Sequence, residues 1–132
     1  MKILHNFLKA ILTLIIATPV LGLTGQFPPK PEYYNSSEAY NFINILMSSA
    51  SFIQIGIVLA CVSSIYCLWT RREFLAGLIL LPITYNVMAF HAFLDGGLLT
   101  GGAVMGNIMS AINFYLLWKN KKHLLNLIKK QF

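Results

Sequence analysis

Acidic side chains are scarce: Glu32, Glu38, Glu73 and Asp95 are the only four in 132 residues, and with ten Lys plus Arg the formal net charge is +6. Charged residues together make up 11%, against roughly 25% in a typical soluble domain, while hydrophobic residues reach 57%. A water-soluble domain of this length has too little interior to hide that much apolar side chain. The shortage of charge therefore excludes a soluble globular domain, and the continuous apolar runs exclude disorder and a coiled coil. Cysteine is nearly absent as well. Cys61 and Cys67 are too few for a disulfide framework and form no CxxC pair. Six positions apart on one helix, about 9 Å along its axis and on different faces, they cannot bridge and read as buried structural residues. No phosphate loop, dinucleotide fingerprint, serine elbow or zincin motif occurs, so nothing points to an autonomous enzyme. The basic residues form no docking face for nucleic acid.

What is present is a set of apolar segments, reflected in a mean hydropathy of +0.67. About 20 helical residues cross a hydrocarbon core of about 30 Å. Four segments qualify on this reading: about 7–23, 45–69, 74–95 and 98–118. The chain thus reads as one all-α integral membrane domain, 1–132, built as a four-helix transmembrane bundle. An outer loop at 24–41 connects the first two spans, and its prolines at 28, 29 and 31 favour extended backbone. A basic amphipathic tail follows at 119–132. Its leucines suit a headgroup boundary and its lysines suit anionic lipid, although the same residues also fit a simple extension of the fourth helix.

Charge orients the bundle. With four spans, Lys2, Lys9, Arg71, Arg72, Lys119, Lys121, Lys122, Lys129 and Lys130 fall on one side and only Lys30 on the other. That bias places both termini in the cytoplasm. Trp69 and Trp118 fall at the cytoplasmic ends of two spans, where an aromatic belt puts them. The first segment resembles a secretory leader loosely, but no small-x-small cleavage site follows it, and it reads as a retained span.

Helices in lipid associate through small residues and polar contacts rather than hydrophobic drive. Gly56, Ala60 and Ser64 form one small-residue stripe, and Gly102, Gly106 and Ser110 form another. Either suits close packing within the chain or between copies. Pro19 and Pro82 each remove a backbone partner, from Ile15 and Leu78, and Thr18 or Thr84 are placed to compensate.

The third segment carries the strongest chemistry. His91 and Asp95 lie one helical turn apart, on one face and near the outer boundary, where an ionisable pair defaults to a functional reading. The bland alternative is that Asp95, followed by Gly96 and Gly97, merely ends the helix. A metal is not indicated, because one His and one Asp leave ligands missing. With Gln54, Asn86 and Asn107 turned inward, the pair lines a polar pocket open to the periplasm, and Phe90 supplies an apolar wall. Asn86 and Asn113 are equally accounted for by interhelical hydrogen bonds. Phe27, Tyr33, Tyr34 and Tyr40 on the outer loop either cover that pocket or serve as belt residues.

The stretch LLPITYNVMAFHAFLDGG resembles the DoxX-like family of small four-helix bacterial membrane proteins. Pro82, Asn86, Phe90, His91 and Asp95 take the positions where the family often has Pro, Asn, Phe-His and Asp. The segment QFPPKPE at 26–32 and the final YLLW before a basic tail are similar to the family too. Many members carry an acid on the second helix, where this chain has Gln54. The resemblance implies a four-span bundle and, for some relatives, a membrane subunit in sulfur- or quinone-linked oxidoreduction. The leading functional expectation is therefore an inner-membrane subunit of a redox or envelope-maintenance complex that binds a quinone-like or lipid-like molecule. The other is a non-catalytic assembly subunit that packs through its small-residue faces against a membrane or periplasmic partner, or against another copy. A transporter ranks last, since four short helices are too few for a repeat-built carrier unless they oligomerise.

Overall fold

The computed structural model describes residues 1–48 and 51–131, and these are all-helical, with no strand among them. Six α-helices follow in order: α1 (Lys2–Gly22), α2 (Ser37–Ser48), α3 (Ser51–Trp69), α4 (Glu73–Phe93), α5 (Val104–Lys119) and α6 (Lys121–Gln131). Three are long and apolar enough to cross a membrane: Lys2–Gly22, Phe52–Trp69 and Glu73–Phe93. Their outward faces carry large apolar side chains such as Leu14, Phe52, Leu59 and Phe93, each more than 60% exposed. Such a surface suits hydrocarbon, not water.

The helix boundaries depart from the sequence reading in several places. The stretch read as a loop to residue 41 turns helical at Ser37, because Ser36 Oγ accepts the Ala39 amide at 3.0 Å and caps α2. The segment read as one span over 45–69 is divided between α2 and α3, with 49 and 50 outside the described residues. The last apolar segment starts its α-helix only at Val104, after a 3-10 turn over Gly101–Ala103, because consecutive glycines resist the helical conformation. At 16 residues α5 covers about 24 Å.

α4 packs against α3 and α5, and α1 packs against the same two, so contacts run in a closed ring. The core lies where the four meet: Leu12 and Ile16 of α1, Cys61 and Leu68 of α3, Leu80 of α4, and Leu116 of α5. Both cysteines are free and buried. Pro19 sits inside α1, and Thr18 Oγ1 donates to the freed Ile15 carbonyl at 2.7 Å, as its position implied. Thr84 acts differently. Its hydroxyl accepts from Asn113 Nδ2 at 3.2 Å, an interhelical bond between α4 and α5.

The turn between α3 and α4 is tight. Arg71 holds φ at +61°, and the Arg72 amide reaches back to the Cys67 carbonyl at 2.9 Å. This is the Schellman closure with arginine at the left-handed position that glycine normally takes, at a cost of about 1 kcal/mol.

Candidate functional site

α4 ends at Phe93, two residues earlier than the sequence suggested, so Asp95 lies just beyond the helix. Gly96 (φ +82°) and Gly97 (φ +109°) then turn the chain back, and the Gly97 amide closes on the His91 carbonyl at 2.8 Å. The turn leaves the Asp95 side chain pointing inward, 1% exposed. Its two oxygens are both used. His91 Nδ1 donates to Oδ2 at 3.0 Å, and the Asn35 backbone amide, 60 residues away in sequence, donates to Oδ1 at 2.8 Å. Asn35 Nδ2 donates in turn to the Asp95 carbonyl at 3.1 Å, and Ser36 Oγ donates to the Leu94 carbonyl. The end of α4 therefore clamps the segment that starts α2, at the point where Ser36 caps that helix.

Small residues admit this arrangement. A Cβ on Gly102 would lie 3.1 Å from Asp95 Oδ2, and one on Gly106 would lie 2.8 Å from Val87 Cγ1 and 3.5 Å from the His91 ring. Gly102 in the 3-10 turn and Gly106 on α5 thus face α4 and the residues just after it, and Ser110 on α5 is buried. On the other stripe Ser64 is fully buried, whereas Gly56 is exposed with nothing within 4 Å of a Cβ.

The polar residues proposed to share a pocket are only partly brought together. His91 and Asp95 are paired. Asn107 lies nearby on α5 but spends its amide on the Leu98 carbonyl at 2.8 Å, pinning the turn before that helix. Gln54 is buried on α3 with its Nε2 3.4 Å from a Cβ position on Gly22, so it faces α1. Asn86 is exposed on α4.

An aromatic cluster covers the clamp. Phe90 meets His91 edge-on at 5.1 Å, Tyr34 edge-on at 6.4 Å and Phe42 at 5.9 Å, and Tyr34 contacts Tyr40 at 6.1 Å. Burial raises the pKa of the Tyr34 phenol, and the nearby Asp95 carboxylate adds to the effect. On its other side Tyr34 joins Gln26, Phe27, Pro28, Pro29, Lys30, Tyr33 and Met47 around a cavity of about 320 Å³. Lys30 is the cation there; its Nζ lies 5.7 Å above the Tyr33 ring and 3.8 Å from Glu32.

A second polar cluster lies at the opposite end. Glu73, the first residue of α4, takes His5 Nε2 at 2.7 Å and Lys9 Nζ at 3.1 Å on one oxygen, with Lys119 Nζ 3.8 Å from the other. Lys9 is 7% exposed and also sits 4.9 Å over the Trp69 ring. The sequence signal was available: Glu73 is the lone acid among nine basic residues assigned to that side. Among the described residues no group of three or more His, Cys, Asp or Glu converges as a metal site. Comparison with protein-family models, curated proteins and solved structures finds no match to this chain.

Proposed function

We propose that this chain is a small multi-pass protein of the bacterial inner membrane, a DoxX-like four-span bundle with both termini cytoplasmic. Its outer face receives a quinone-like or lipid-like amphiphile on behalf of a redox or envelope-maintenance complex. Support for a fourth crossing comes from α5, whose preceding 3-10 turn puts Gly102 beside Asp95 and whose last residue, Lys119, lies 3.8 Å from Glu73. Short as it is, it runs from one polar cluster to the other. Support for the orientation is the charge bias.

The observation that carries the ligand reading is the dual position of Tyr34, which walls the outer cavity and touches the Phe90 ring that abuts His91. Apolar and aromatic walls with one cation suit a molecule with a flat or acyl body and a polar end. On this reading the binding surface is the proline-rich loop, while His91 and Asp95 hold that loop in place. The test is native mass spectrometry of the full-length protein extracted from its own membrane, alongside a Tyr33→Ala/Tyr34→Ala variant. A retained amphiphile that is lost from the variant, with helix content unchanged by circular dichroism, is the expected outcome. Equal retention by both proteins, or none by the native one, overturns it.

A non-catalytic assembly subunit is the second reading, favoured by the open position of Gly56 on the exposed side of α3. Gly56→Leu would then dissociate an oligomer or release a partner in detergent without loss of helix. The Gly102/Gly106 stripe does not test this reading, because those residues pack inside the chain.

A further inference from the structure

α5 stops at Asn120, whose Nδ2 caps the Leu116 carbonyl at 2.8 Å, and α6 starts afresh at Lys121. The tail is therefore a separate helix, not two more turns of α5. His123, Asn126 and Lys130 follow at spacings of three and four, which puts them on one helical face. That face turns toward the first turn of α4, where the Phe74 ring lies over the His123 ring at 5.8 Å with 32° between planes. Between them opens a groove of about 610 Å³ lined by Phe74, His123, Asn126, Lys129 and Lys130. The opposite face of α6 presents Leu125 and Ile128, each about half exposed.

We propose that this groove is a headgroup site for an anionic phospholipid, with the phosphate between Lys129, Lys130 and Asn126. Charge selects the occupant. Residues 121–131 hold four lysines and no acid, and among the described residues neither Lys129 nor Lys130 has a carboxylate partner. Glu73, which precedes Phe74, is already paired with Lys9 and lies 3.8 Å from Lys119, so its charge is answered inside the chain. Amphipathic geometry selects a lipid over a soluble anion, because Leu125 and Ile128 on the opposite face seat α6 against a bilayer surface, where lipid phosphates are concentrated. The site lies at the other end of the molecule from the outer cavity and stands or falls separately.

Hydrogen exchange of the full-length protein in nanodiscs tests it, with phosphatidylcholine alone compared with added phosphatidylglycerol. Amides of 121–131 should exchange about tenfold more slowly with phosphatidylglycerol. Lys129→Gln/Lys130→Gln should remove that difference, and Phe74→Ala should reduce it, while exchange in α3 reports that the fold persists. Equal exchange in the two lipids overturns the proposal. So does an undiminished effect in Phe74→Ala, which marks diffuse attraction to the surface instead of a groove. Protection of α6 by inorganic phosphate in phosphatidylcholine nanodiscs, equal to that by the lipid, overturns the assignment to a lipid.

Discussion

Asp95 ties the end of α4 to the segment before α2, because a buried carboxylate needs a donor on each oxygen. Asn35 and His91 supply them. Replacing Asp95 by alanine leaves the Asn35 amide and the His91 imidazole without their acceptor, a loss of about 1–3 kcal/mol. Asparagine keeps one oxygen for the Asn35 amide and should lose less. Thermal unfolding in detergent, together with hydrogen exchange at 26–36, separates the two variants. The His91–Asp95 pairing was readable from the sequence, since a spacing of four fixes neighbours on a helix. The Asn35 contact was not, because a spacing of 60 residues carries no periodic signal. The Ser36 cap was missed for a different reason: it hides in a serine pair that reads as loop.

Tyr34 gives the same region a pH dependence. Its folded pKa lies above the ordinary value of 10.0, so the native state holds the phenolic proton more tightly than the unfolded chain does. Its contribution to stability is complete below about pH 10 and declines as pH rises through the raised folded value. Tyr34→Phe should flatten the decline in a plot of unfolding midpoint against pH, and an unchanged slope would assign the effect elsewhere.

Among the helices, the contact between α4 and α5 is the most tightly specified. Val87 is β-branched and has little rotameric freedom in a helix, so a methyl group placed on Gly106 has no room. Gly106→Ala should cost about 1–3 kcal/mol in unfolding, whereas Gly56→Ala, at an open position, should stay within about 0.5 kcal/mol. Small residues at intervals of four announced both stripes but not which of their members are buried. That distinction depends on what lies opposite, and a single helix does not contain it. The short α5 was obscured likewise, since hydropathy does not register how Gly101 and Gly102 weaken helix.

For the molecule taken entire, the ion pairs among the described residues sort to its two ends, at Glu73 on one and at Asp95 and Lys30 on the other. Topology is the measurement that checks the proposed orientation. With Cys61 and Cys67 buried, a membrane-impermeant maleimide should label Lys30→Cys in intact cells and leave Lys122→Cys unlabelled. Labelling at Lys122→Cys from outside would mean either that α5 returns without crossing or that the bundle is inverted, and labelling at Lys30→Cys distinguishes these. Apolar content and charge bias announced a helical membrane chain from composition alone. The interlocking of loop and helix end at Asp95 emerged only from the folded chain.

The two ends are fastened by different kinds of bond. One is latched through backbone amides and carbonyls around Asp95, and the other through charged side chains around Glu73, including Lys119, whose side chain is 44% exposed. Added electrolyte screens the half-exposed Lys119 contact at the second end, while the buried Lys9–Glu73 pair and the first end are hardly touched. Rising ionic strength should therefore loosen the protein from one end only, fraying the lysine-rich side while the proline-rich side stays shut.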